Sequence, residues 1–217
     1  MQPISATVGP LAAADADGIC LSQTPGAAGA LTLNGALVSG GVAVLDAARR
    51  VLITAAGNES AKTFTITGTS YNGQTQSETI TGPNATTAQS VLDYKTVTSV
   101  VISAAAAGAI TVGTNGVASS RWMRLDSWAF AQVGIQVDVS GTINYTVQQT
   151  FDDPNDATNP VSPANVIWVN SSDSAVVAKA VDAQSFYAYA PTFIKITANS
   201  GDGSARLTAV QYGNVPL

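Results

Sequence analysis

Apolar and polar residues alternate along much of this chain with a period of two, the signature of half-buried β-strands. The pattern is cleanest over 62–69 (KTFTITGT), where Phe64 and Ile66 hold one parity and threonines the other. Tyr71-Asn72-Gly73 marks a turn, because Asn-Gly accepts the positive φ angles of a tight hairpin. Residues 76–81 (QSETIT) then return antiparallel, and Gly82-Pro83-Asn84 closes the unit. Further strands are predicted at 31–33, at 37–38 ahead of Gly40-Gly41, and at 50–54, 97–103 and 109–112. Only 86–94 (TTAQSVLDY) has a spacing compatible with a helix, and it fits a strand and loop equally.

Composition shifts at 113–116 (GTNG), and an aromatic segment, 121–130 (RWMRLDSWAF), follows. This places a domain boundary near residue 118. Beyond it, 133–139, a Ser140-Gly141 turn and 142–149 predict a hairpin. The polar loop 152–163 (DDPNDATNPVSP) interrupts the sheet, and 166–169, 193–198 and 205–212 supply three more strands. Residues 1–30 are rich in Ala, Gly, Ser and Pro with little periodicity, and read as an extended arm. Short strands with turn signals about every 8–12 residues predict sandwiches or barrels. The expected fold is all-β: an N-terminal arm at 1–30, then two tandem antiparallel β-sandwich or jelly-roll-like domains at 31–118 and 119–217.

Composition narrows the chemistry. The 217 residues include no histidine and a single cysteine, Cys20. Ser-His-Asp and Cys-His nucleophile systems and structural zinc sites are thereby excluded, and no intrachain disulfide can form. The net charge of −5 and nine scattered basic residues argue against a nucleic-acid partner, which requires clustered Lys and Arg. No apolar run approaches the ~20 residues of a membrane-spanning helix. The first basic residue is Arg49, so no secretory leader is expected. Only 11% of residues are charged, against about a quarter in ordinary soluble domains. Much of the surface is therefore expected to be covered by neighbours, and edge strands without lysine guards point the same way.

Asp152, Asp153, Asn155 and Asp156 form the densest oxygen cluster, a candidate cation shell set against the simpler reading of a turn around Pro154. The turn is preferred. Asp15-Ala16-Asp17-Gly18 resembles the opening of a calcium loop but lacks the acidic residue that would close it. No glycine-rich stretch has nucleotide-binding spacing, no catalytic residue is assigned and no cofactor is expected. Trp122, Trp128 and Phe130, with Arg121 and Arg124, form either a partner-binding patch or a plug between β layers. Trp122 and Arg124 share one strand parity, Met123 and Leu125 the other, and the core reading is preferred. Phe186, Tyr187 and Tyr189 pose the same choice. Trp122, Arg124, Trp128, Phe186, Tyr187 and Tyr189 are the candidate interface residues.

The stretch 51–84 (VLITAAGNESAKTFTITGTSYNGQTQSETITGPN) resembles a β-sandwich unit that recurs in virion structural proteins of tailed bacteriophages. The second half is similar to phage capsid- and neck-associated proteins in its Val-Ser-Gly-Thr strand (139–142), its Tyr-Thr-Val-Gln strand (145–148), the DDP loop and the closing Leu-Thr-Ala-Val-Gln strand. The likeness runs from about residue 31 to 211. It implies a non-enzymatic virion protein, assembled in the host cytoplasm, that decorates and cements the capsid as a homo-oligomer on the major capsid protein. A neck or tail component beside the portal, and a carbohydrate-binding adhesin, are the alternatives. No nucleic-acid or membrane partner is expected.

Overall fold

The computed structural model describes residues 3–126 and 132–211. The chain is nearly all β, with large antiparallel sheets and no α-helix among the described residues. It divides into two compact units: 13–117, and a discontinuous unit of 1–12 with 118–217.

The first correction concerns the N-terminus. The described residues of the 1–30 segment do not form an arm. Strand β1 (Ile4–Val8) pairs over its whole length with the strand at Ser204–Gln211, and Ala6, Val8 and Leu11 are buried. Its low sequence contrast conceals this: polar Ser5 and Thr7 alternate with small Ala6 and Val8, so only two modest side chains report the buried face. Residues 13–30 belong to the other unit, where Ile19 and Cys20 are fully buried.

The 13–117 unit contains β2 (Cys20–Gln23), β3 (Gly29–Ala30), β4 (Val38–Ser39), β5 (Val42–Ala55), β6 (Thr63–Thr69), β7 (Thr75–Thr81), β8 (Thr87–Ile102) and most of β9 (Ile110–Ser119). Its sheet runs β9-β5-β8-β6-β7, with β2 on β9, β3 on β8 and β4 on β5. Phe64 and Ile66 of β6, Val51 and Ile53 of β5, Val100 and Ile102 of β8 and Ile110 and Val112 of β9 form one core with Ile19 and Cys20. Each fully buried side chain of this size is worth about 1.5–3 kcal/mol of transfer free energy. The 71–73 turn forms as expected, with left-handed φ confined to Gly73.

Residues 87–94 lie within the strand β8, and 86–94 form no helix. The helical spacing has a physical source. Tyr94 and Val97 are buried three apart across the β5–β8 register slip between Val44 and Arg49, and Ser90 and Tyr94 four apart across the slip between Arg50 and Leu52. The Val51 N–H there donates to Ser90 Oγ at 2.9 Å. An irregularity of this kind breaks the period of two and imitates a helix.

The discontinuous unit adds β10 (Met123–Arg124), β11 (Val133–Ser140), β12 (Ile143–Thr150), β13 (Val169–Asn170), β14 (Ala183–Tyr187), β15 (Phe193–Gly201) and β16 (Ser204–Gln211). One sheet runs β1-β16-β11-β14. In the other, β15 pairs with β12 and β10, β12 pairs with β13, and Ala118-Ser119 of β9 pairs with Thr197-Ala198. The predicted hairpin at 133–149 is therefore wrong in its pairing: both strands exist, but β11 and β12 lie in different sheets. The strands β15 and β16 also lie in different sheets.

Both chain reversals cross between sheets at one corner, where backbones meet too closely for side chains. A Cβ on Gly203 would sit 2.5 Å from Ser140 O, and one on Gly201, whose φ is +99°, would sit 2.2 Å from Thr142 O. The Asp202 and Gly203 N–H groups both donate to Thr142 O. A tight hairpin and a sheet-to-sheet crossing use the same glycine-rich vocabulary, so local sequence does not separate them.

Candidate partner-binding site

The register of β10, β12 and β15 sorts the aromatic segment. Met123 opposes Ile194 and Arg124 opposes Phe193. Met123, Leu125, Ile194 and Ile196 are buried on the core side. Trp122 is half-buried, and its ring packs with Trp168 and Phe193, at centroid distances of 5.1 and 6.0 Å and edge-to-face angles of 65°. The apolar neighbours at 123 and 125 take one face, and Trp122 and Arg124 take the other, where Trp122 packs on the buried Phe193. Trp128 and Phe130 lie outside the described residues.

Two cations sit on these rings. The Arg124 guanidinium lies 5.4 Å from the Phe193 centroid, and Lys195 Nζ lies 4.6 Å from the Trp168 centroid. Lys195 is buried, where such a contact reaches ~2 kcal/mol, against ~0.5–1 kcal/mol at exposed positions. Arg124 also forms a bidentate pair with Asp153, at 3.1 and 2.6 Å. With the Arg124 side chain 53% exposed, that pair contributes at most ~1 kcal/mol and acts chiefly to orient the guanidinium.

The aspartate cluster is a turn. Asp152 Oδ2 accepts the Ile167 N–H, and Asp153 Oδ1 accepts the Asn155 N–H besides its Arg124 bonds. Asp156 Oδ1 accepts the N–H groups of Asn159 and Thr158, which hold its carboxyl below the usual range. Among the described residues no group of three or more His, Cys, Asp or Glu side chains is placed to hold a metal ion. Asp15 likewise accepts the Asp17 N–H within its own turn.

Phe186, Tyr187 and Tyr189 do not form one surface. Tyr187 is buried, and burial pushes its hydroxyl pKa up to about 12 against a weaker pull from Ser171. Phe186, its strand neighbour, points the opposite way and is 71% exposed. Tyr189 pairs with the exposed Phe151 at 5.5 Å, and its hydroxyl accepts the Gln149 side-chain N–H at 3.1 Å.

The structure thus joins two predicted residues, Trp122 and Arg124, with three that the sequence reading missed: Trp168, Phe193 and Lys195. The available signal was the β15 sequence Phe-Ile-Lys-Ile-Thr-Ala, in which Lys195 shares a parity with Phe193. Trp168 carried no signal, because only strand pairing brings it to Trp122. No protein-family model matches this chain, and no curated protein matches it.

Proposed function

We propose that this chain is a non-enzymatic structural protein of a tailed-phage virion, a decoration or cement protein that clamps the head through many repeated weak contacts. The observation that carries the reading is the aromatic–cation cluster of Trp122, Trp168, Phe193, Arg124 and Lys195. It is prearranged by stacking, aromatic and arginine-bearing as interface hot spots are, and set in a chain with few charges to repel a neighbour. Its partner in this reading is the major capsid protein, and the chain itself is a homo-oligomer located in the virion. Two sandwich or jelly-roll-like domains are the finer fold we assign; the strand crossings at Gly141 and Gly203 support that layering for the discontinuous unit. Bridging adjacent capsomers resists their separation, and symmetry multiplies each contact.

The adhesin reading is favoured by one observation, the exposed rings of Phe151 and Tyr189, since a sugar binder presents aromatic platforms. Quantitative mass spectrometry of purified virions, with the major capsid protein as the internal standard, tests both readings. Hundreds of copies per particle are expected. About a dozen would move the protein to the neck or tail beside the portal, and absence from the particle would leave the adhesin.

A further inference from the structure

Strand β7 ends the sheet of the 13–117 unit and, among the described residues, pairs only with β6. Its ladder with β6 runs from Thr63/Thr81 to Thr69/Thr75 without a register shift, unlike β5–β8, β6–β8 and β12–β15. It contains no Lys, no Pro and no bulge, three of the devices that blunt an edge, and its one charge, Glu78, accepts the Val91 and Leu92 N–H groups.

The ladder also tells which backbone groups are free. Gly82 N–H donates to Lys62 O, and Ser70 N–H donates to Gln74 O, one at each end of the hairpin. With the alternation of an antiparallel pair, Gln76, Glu78 and Ile80 exchange hydrogen bonds with β6, while the N–H and C=O groups of Thr75, Ser77, Thr79 and Thr81 point away from it. Those four residues are also the exposed ones. Thr79 and Ser77 already meet the β6 hydroxyls of Thr65 and Thr67 at 2.9 and 3.2 Å, as side chains in close, non-bonded pairs do.

We propose that this edge is the self-association surface of the protein: the β7 of a second copy adds to it antiparallel across a two-fold axis at Ser77. The pairing chemistry is self-complementary. Ser77 meets Ser77 of the second copy and Thr75 meets its Thr79, which gives about six main-chain hydrogen bonds. Glu78 falls opposite Gln76 of the second copy, whereas an axis at Glu78 would set two carboxylates against each other. This inference rests on the proposed reading that the chain is a homo-oligomer and adds where its copies join.

Sedimentation across a concentration series of the full chain, with Ser77→Cys and Thr79→Pro variants, is the test. Bonded residues across the axis lie ~5.5 Å apart at Cα, within disulfide reach. The native Cys20 is buried with its thiol pKa pushed up to about 12, so the thiol introduced by Ser77→Cys is the reactive one. Oxidised Ser77→Cys is expected to run as a covalent dimer on a non-reducing gel. Of the backbone groups Thr79→Pro removes only an outward N–H, and its loss of the exposed hydroxyl contact to Thr65 is shared by Thr79→Lys, so both are expected to keep the fold by circular dichroism and weaken association at least tenfold. A chain monomeric at every concentration would overturn self-association altogether. An oligomer unaffected at Thr79 and uncrosslinked at Ser77 would overturn this edge alone, leaving the homo-oligomer reading standing.

Discussion

Glu59 is fully buried, and three chain segments converge on this residue. Oε2 accepts from Lys62 Nζ at 2.5 Å, and Oε1 accepts the N–H groups of Ala107 and Gly108 at 2.8 and 3.1 Å. Its own N–H donates to Pro83 O, so the loops at 56–60, 82–84 and 106–108 share this one residue. Glu59→Gln keeps the shape and an oxygen for the two amides but turns a neutral N–H₂ toward the ammonium. A charge-assisted bond of this kind is worth ~1.5–3 kcal/mol. Breaking a fully buried pair costs ~3–5 kcal/mol, and Lys62, 16% exposed, recovers part of that by hydration. The expected loss is therefore ~2–3 kcal/mol, or roughly 10–20 °C in the melting transition of a unit this size.

The pH dependence gives a second handle on the same residue. Burial pushes the Glu59 carboxyl up, but the Lys62 hydrogen bond and those of Ala107 and Gly108 outweigh it and leave the pKa below the ordinary 4.5. A depressed carboxyl stabilises the fold above the unfolded pKa and loses that contribution as pH falls through the folded one. Calorimetric melting curves of wild type and Glu59→Gln should thus differ at pH 7 and converge in acid. A difference under ~3 °C at neutral pH, or one that persists unchanged at pH 2, would refute the assignment.

Three further outcomes follow from the packing. Gly203→Ala places a methyl 2.5 Å from Ser140 O and should cost ~1–3 kcal/mol in chemical denaturation, whereas Gly134→Ala, whose Cβ meets nothing nearer than 3.9 Å, should stay within ~0.5 kcal/mol. Deleting residues 1–12 removes β1 and the buried Ala6, Val8 and Leu11, so the discontinuous unit should lose its cooperative thermal transition; an unchanged transition would restore the arm. Trp168→Ala removes the ring on which Trp122 and Lys195 pack, and should weaken binding to heads at least tenfold in a cosedimentation assay while the wild-type circular dichroism spectrum is kept.

The β character of this chain was legible from its residues because a strand's buried face is written in a local period of two. The 62–69 and 76–81 pair needed nothing beyond that period and one Asn-Gly turn. The absence of histidine likewise excludes Ser-His-Asp and Cys-His nucleophile systems from the residues alone. Pairing was a different matter. Val133–Ser140 and Ile143–Thr150 look like a hairpin, yet Gly141 and Gly203 carry the chain from one sheet to another, a choice made by backbone contact between residues some sixty positions apart. Strand β1 was hidden by its small buried side chains, and its partner comes at the far end of the chain. Trp122 and Arg124 were visible as candidates, but Trp168, Phe193 and Lys195 join them only through the registers of β10, β13 and β15. Sequence alone determined the strongly alternating strands, such as those within 62–69 and 76–81, and which face of each is apolar, because those depend on near neighbours. Which strands meet, and hence where the aromatic face and the free edge lie, depended on long-range hydrogen bonding and packing that only the tertiary structure decides.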